Sequence, residues 1–398
     1  MVIVRNKYKY LFKRASRVFK GVVTSIYYSF FNTKRTKTII FNSACNEEFT
    51  WNAKSLFLNG MDSFHKLGYK TYFVIDNERE RLKLTKLYGD YFISTTNKKE
   101  KAIILNAAIW VLSTLETPSS GIFLNRHRFV YHLGHGTPIK NIGLMEKNVS
   151  FPKRFFYFLN KSNISVFLST SSYFSEYMAK AFGVSEERIV VAPQPRIDDF
   201  LISKKYSYIN KREGYKYILY APTWRHYSET KLFPFPDFDI DSFSEQLNFH
   251  KVIILLRLHP RFEHESKPYL CENIISFDSS KCPDVSDALC EIDGLITDYS
   301  SIYCDYLILN KPVAFLPYDK DLYEKEIGFS TDYDAVTTDM KIKTTDDFFR
   351  FVLSFECFDF VKYQAKLSQK INFLPTNVSA TEYNVRLIDK EYKKRWSI

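Results

Sequence analysis

The stretch RFVYHLGHGTPIK, residues 128–140, sets the pattern from which the fold is read. An apolar and aromatic run, Phe129-Val130-Tyr131, stops abruptly at two histidines and two glycines, in a chain of 398 residues that holds only 8 His and 12 Gly. A run closed in this way reads as a β-strand whose carboxyl end carries polar residues on a tight turn.

The same unit recurs in both directions along the chain. KTIIFNS (37–43), YKTYFVID (69–76), IWVLST (109–114), VFLSTS (166–171) and RIVVAP (188–193) read as strands, with helices over 51–67, from 77 through Leu87, near 98–108 and over 172–183. After a polar, lysine-rich stretch at 203–216 the rhythm restarts with YKYILYAPT (215–223), KVIILLRLHP (251–260), NIISFD (273–278), DGLITDYSS (293–301) and PVAFLPYD (312–319). Strands alternating with helical patterns imply βαβ units and parallel sheets. The spacing therefore predicts an α/β protein with two Rossmann-like domains facing across a cleft, residues 37–202 and 203–398, the second ending in a helical tail from about 345. In such folds ligands bind at the carboxyl ends of strands.

The 36 Phe and 28 Tyr supply ample core. The net charge of +11 is concentrated at one end. No acidic residue precedes Glu47, whereas Arg5, Lys7, Lys9, Lys13, Arg14, Arg17, Lys20, Lys34, Arg35 and Lys37 all do. Between residues 8 and 31 the apolar positions Tyr8, Leu11, Phe12, Ala15, Val18, Phe19, Val22, Val23, Ile26, Tyr27 and Phe30 draw one helical stripe with the cations on its flanks. Residues 1–36 thus read as a basic amphipathic helix suited to an anionic membrane surface; packing against the protein's own core is the plainer alternative. No nucleic-acid motif accompanies the basic arm, so a nucleic-acid partner is not expected. The six cysteines show no CxxC pair and no zinc spacing, and read as buried thiols of a reducing compartment. No apolar stretch of about 18 residues suggests a spanning helix.

Four strand ends carry the chemistry. In the first, Gly134 and Gly136 turn the backbone around His135, whose imidazole can take a proton from a hydroxyl near neutral pH; Thr137 belongs to the same turn, and Lys140 adds positive charge beside a phosphate. His132, among apolar neighbours, reads as a core histidine. In YAPTWR (220–225) and LRLHP (256–260), Arg225 and His259 are candidates to hold phosphate oxygens; Arg261 and His264 read as surface residues. In LITDYSSIYCDY (295–306), Thr297, Asp298, Ser300 and Ser301 precede a helical run, where hydroxyls and open N–H groups suit a phosphate. Simple N-capping by Asp298 or Ser300 would explain them as well. DKD (319–321) and DYD (332–334) match a two-aspartate metal signature only superficially. No metal and no organic cofactor is expected.

Taken together, HGTPIK, PRID (195–198), YAPTWR, LRLHP and TDYSSIYCDYLILNKPVAFLPYD (297–319) resemble the CDP-glycerol glycerophosphotransferases, the teichoic acid primases and polymerases. The resemblance covers roughly residues 128–330. It implies a GT-B fold, peripheral attachment to the cytoplasmic face of the cell membrane, and transfer of a polyol phosphate from its CDP-activated form to a hydroxyl of a lipid-linked saccharide acceptor, releasing CMP, in teichoic acid, cell-wall or capsule synthesis. Carried onto this chain, it makes 37–202 the acceptor domain and 203–398 the donor domain. His135 becomes the general base, Arg225, His259, Ser300 and Ser301 hold the donor pyrophosphate, and Thr297 and Asp298 shape the donor end.

Two departures, Ile197 after Pro195-Arg196 where the family has Asn and the lack of a Pro-Gly turn in GFSTDYDAVTTDM (328–340), leave CDP-glycerol and CDP-ribitol both open as donor. A GT-B glycosyltransferase using a nucleotide sugar is the alternative enzyme, and an inactive membrane-bound scaffold the alternative outside enzymes.

Overall fold

The computed structural model describes residues 21–23, 25–201, 207–259, 262–356 and 358–396. Most of the expected amphipathic stripe, from Tyr8 to Phe19 with its cations through Lys20, lies outside these residues, as does Arg261. Residues 25–31 are helical and end in a π-helical turn, Tyr27–Phe31.

Two compact units emerge. The described residues up to His135, with Val149–Asp198 and those from Pro375 onward, form unit 1; Gly136–Asn148 and Asp199–Leu374 form unit 2. Unit 1 contains strands β1 (Thr36–Asn42), β2 (Lys70–Val74), β3 (Phe92–Ile93), β4 (Ala107–Leu112), β5 (Phe129–His132), β6 (Val166–Ser169) and β7 (Ile189–Val191), ordered β3-β2-β1-β4-β5-β6-β7. Every pairing is parallel. The helices α1 (Trp51–Lys66), α2 (Glu78–Tyr88), α3 (Lys98–Asn106), α4 (Phe151–Lys161), α5 (Ser175–Phe182) and the short α6 (Ile197–Leu201) connect them. The run AAIWVL is buried throughout because β4 is a central strand covered on both faces.

Unit 2 holds β8 (Lys216–Ala221), β9 (Val252–Leu256), β10 (Ile274–Ser276), β11 (Gly294–Thr297) and β12 (Val313–Phe315), ordered β10-β9-β8-β11-β12 and again all parallel. Its helices are α7 (Ile240–Phe249), α8 (Ile302–Tyr306), α9 (Lys320–Glu326), α10 (Thr345–Leu353) and α11 (Phe358–Ile371). An aromatic cluster of Phe233, Phe235, Phe243, Phe348 and Phe349 packs against β8 and β9 residues. α10 opens on a capping box, Thr344 and Asp347 satisfying each other's backbone N–H groups.

Relative to a division after residue 202, the chain makes two exchanges. Gly136–Asn148 packs in unit 2, held by Asn141 N–H on the Gly328 carbonyl (3.0 Å), Ser330 N–H on the Ile139 carbonyl (3.0 Å) and a bridge between Lys140 and Phe329. The last helix, α12 (Ala380–Trp396), packs in unit 1, where Val385, Ile388 and Tyr392 join the core around Phe57 and Phe64. Asp198 caps α12 by accepting from Ala380 N and Thr381 N at 2.9 and 2.7 Å. Tyr131 and Tyr69 donate to Asn384 and Asp389 at 2.9 Å each. Burying one face of α12 completes an apolar layer over β1 and β5 that unit 1 otherwise lacks.

Candidate active site

At the carboxyl end of β5 the backbone turns through Gly134 with φ +67°, a left-handed conformation that a side chain would strain. The Gly134 carbonyl accepts from Asn52 Nδ2 at 3.0 Å, and the buried Asn52 also donates to Gln194 Oε1 at 3.1 Å. His135 follows with its ring exposed. Its Nδ1 lies 3.2 Å from the Ser113 carbonyl. A carbonyl only accepts, so Nδ1 carries the hydrogen and the lone pair resides on Nε2. The ring also stacks on Trp51, centroids 4.7 Å apart and planes at 27°.

His132 is buried between Phe167 and Phe182, at 5.2 and 5.1 Å between ring centroids. Burial, with a smaller contribution from His135, pushes its imidazole down to about 3. It is the core histidine that its apolar neighbours indicated. Thr137 is buried in unit 2. Lys140 keeps solvent contact, yet the crowding around it lowers its ammonium, against the opposing pull of Glu146 and Asp298.

In unit 2 the ends of β8, β11 and β12 meet around one guanidinium. Thr297 Oγ1 donates to the Ala221 carbonyl at 2.6 Å, tying β11 to β8. Arg225 is fully buried. Its Nη1 donates to Asp298 Oδ2 at 2.5 Å and to the Thr223 carbonyl; its Nε and Nη2 donate to the two oxygens of Asp319 at 3.1 and 2.7 Å. Asp298 also accepts the N–H of Thr223 (2.8 Å) and of Tyr299 (2.5 Å), and Asp319 the hydroxyls of Tyr227 and Tyr299, both at 2.9 Å. All three Arg225 nitrogens are therefore engaged within the fold. These contacts tie the loop from Thr297 to Ser301 to Thr223 and to Asp319.

Ser300 and Ser301 are half-buried where α8 begins, and Ser300 Oγ accepts from Ile302 N at 3.4 Å. His259 is exposed after β9, its ring 6.1 Å from Trp224 and 6.0 Å from Phe262, which stack on each other at 5.2 Å. The structure thus brings Arg225 into direct contact with Asp298, the residue after Thr297, leads on to Ser300 and Ser301, and sets His259 beside Trp224, the neighbour of Arg225 in sequence.

The acidic pairs have other partners. Asp319 is a counter-ion of Arg225, and Asp334 pairs with Lys320 at 2.5 Å and Lys341 at 3.5 Å. Among the described residues no group of three or more His, Cys, Asp or Glu side chains could hold a metal ion. Sequence reasoning did not single out Trp51, Asn52, Ser113 or the Arg225–Asp319 pair. Ser113 and Asp319 alone carried a signal, each standing at a strand end like the other four motifs.

The sequence profile of the CDP-glycerol:poly(glycerophosphate) glycerophosphotransferases matches residues 25–367. The chain belongs to that family. Among this glycerophosphotransferase-family chain's relatives is the teichoic acid poly(ribitol-phosphate) polymerase of Bacillus spizizenii, 30% identical over 197 residues, covering 47% of this chain and 32% of the relative. The teichoic acid poly(glycerol phosphate) polymerase of Bacillus subtilis is 25% identical over 369 residues, 87% of this chain and 45% of the relative. The chain spans less than half the length of both. The wall teichoic acid polymerase TagF shares the fold, with a TM-score of 0.69 at 24% identity over 98% of this chain and 99% of that one. The α/β, GT-B-like architecture with two parallel sheets is therefore shared with that polymerase.

Proposed function

We propose that this chain transfers glycerol phosphate, or the related ribitol phosphate, from its CDP-activated donor to a hydroxyl of a lipid-linked saccharide acceptor during synthesis of teichoic acid or a similar surface polymer. The acceptor oxygen attacks the phosphorus that bears the polyol. A new P–O bond forms, the P–O bond to CMP breaks, and CMP leaves as its phosphate. The observation that carries the reading is the His135 turn in a chain of this family: Nδ1 is tied to a carbonyl, so Nε2 is the nitrogen that takes the acceptor proton. Gly134 and Gly136 give the backbone its approach, and unit 1 is the acceptor side.

On the donor side, Ser300, Ser301 and His259 supply the hydrogen bonds that offset charge on the pyrophosphate and the leaving CMP. Lys140 adds a cation beside them. Arg225, Thr297 and Asp298 act by holding the loop that presents the two serines.

The site of action is the cytoplasmic face of the cell membrane. Among the described residues no helix is long and apolar enough to cross a bilayer. α4 instead exposes Phe151 (79%), Phe155 (52%) and Phe158 (64%) beside Lys153 and Arg154, the composition of a helix lying in an anionic interface.

The deciding experiment is CMP release by the purified chain offered CDP-glycerol or CDP-ribitol with a lipid-linked disaccharide, against UDP release from UDP-sugars. Acceptor-dependent CMP release that falls roughly 10²–10⁴-fold in His135→Ala is expected. UDP release in its place would overturn the reading in favour of a glycosyltransferase.

A further inference from the structure

Trp51 has a left-handed backbone, φ +60°, at the first residue of α1. Bulky side chains rarely tolerate that conformation, and where it persists the surroundings enforce it. Here the enforced position lays the indole against one face of the His135 imidazole. The next two residues of α1 grip the same turn. Asn52 holds the Gly134 carbonyl, and Ala53 N–H donates to Ser113 Oγ at 2.9 Å, fixing the residue whose carbonyl accepts from His135 Nδ1. The hydrogen bond to Ser113 lies in the ring plane and fixes Nδ1, whereas a flat partner across the face fixes the tilt of the ring about that bond.

We propose that Trp51 is a positioning residue for His135, holding its imidazole in the orientation that presents Nε2 to the acceptor hydroxyl. The indole also faces the ring when it gains the proton, and a cation over an indole face at this separation is attracted to it. The proposal rests on His135 acting as the base.

The left-handed backbone supplies a clean variant, because glycine accepts φ +60° without strain. Trp51→Gly should fold with a melting temperature within a few degrees of the parent's, the relief of backbone strain offsetting part of the lost indole packing. Its kcat for acceptor-dependent CMP release should nevertheless fall roughly 10–100-fold, the scale of a misplaced reacting group, with donor KM changed less than about twofold. Trp51→Phe, which keeps a flat ring, should recover kcat to within about threefold of the parent, and Trp51→Asn should repeat the glycine result. In a His135→Ala background Trp51→Gly should cost nothing further. Parental kcat in Trp51→Gly, a loss confined to KM, or a loss that adds fully to that of His135→Ala would each overturn the proposal. Full turnover in His135→Ala alone would instead show that the base assignment had failed.

Discussion

Asp319→Asn tests whether the Arg225 cluster is a structural pin. The change keeps the side chain's size but replaces an acceptor-only carboxylate with an amide whose NH₂ must face donors. Four hydrogen bonds converge on that carboxylate, two from Arg225 and one each from Tyr227 and Tyr299. Breaking one partner of a buried ion pair costs about 3–5 kcal/mol. Arg225 keeps Asp298 at 2.5 Å, so the low end, about 3 kcal/mol, is expected. For a unit of this size each kcal/mol lowers the melting temperature by about 2–4 °C, giving a drop of roughly 6–12 °C. The assay is thermal unfolding of the full chain at pH 7, with Asp334→Asn as the comparison. Asp334 is 57% exposed in its pair with Lys320, and exposed pairs contribute about 1 kcal/mol at most. A drop below 2 °C, or one equal to that of Asp334→Asn, would refute the pin and return Arg225 to the role of a mobile phosphate ligand. Acid titration provides a second reading of the same variant. Burial works to raise the Asp319 carboxyl, but Arg225, Tyr299 and Tyr227 outweigh it and hold it below the ordinary value. The unfolded carboxyl, near 3.9, then binds protons more readily than the folded one, so its stabilisation is present above about pH 4 and fades as pH falls through the folded value. Asp319→Asn should flatten that acid limb.

Two further outcomes follow from the geometry. Gly328 has φ +80° and packs on Asn141, where an added Cβ would collide with the amide, so Gly328→Ala should cost about 1–3 kcal/mol, read as a lower urea midpoint. Phe155→Asp should weaken co-sedimentation with phosphatidylglycerol vesicles roughly 10–100-fold, from the loss of about 1.5–3 kcal/mol of apolar burial, while leaving the melting temperature unchanged because the residue is already exposed; undiminished vesicle binding would remove α4 from the membrane contact.

The strands were legible because each is a short apolar run closed by turn residues, and parallel strands covered on both faces need no alternation to betray them. β3 escaped because two residues, Phe92 and Ile93, make no run. α4 was not read, although Phe151, Phe155, Phe158 and Leu159 fall on one side of it with Lys153, Asn160 and Lys161 opposite. His135 could be separated from His132 by its glycine neighbours alone. The carboxylate partners of Arg225 could not be read, since they lie 73 and 94 residues away. Nor could the role of Trp51, which depends on a left-handed backbone that nothing in an indole's own preferences suggests.

The place of α12 in the core of unit 1 has a consequence for how the protein is made. A ribosome that has finished β7 and Asp198 has supplied every strand of the first sheet, yet Tyr131, Tyr69 and Asp198 still lack the partners that only residues 380–396 provide. All of Asp199–Leu374 must be synthesised in between. At about 5–20 residues per second that interval is on the order of ten to forty seconds. During it the apolar layer around Phe57 and Phe64 waits uncovered, so of the two units the one begun earlier is completed later, and a chain released before α12 emerges leaves a gap in it.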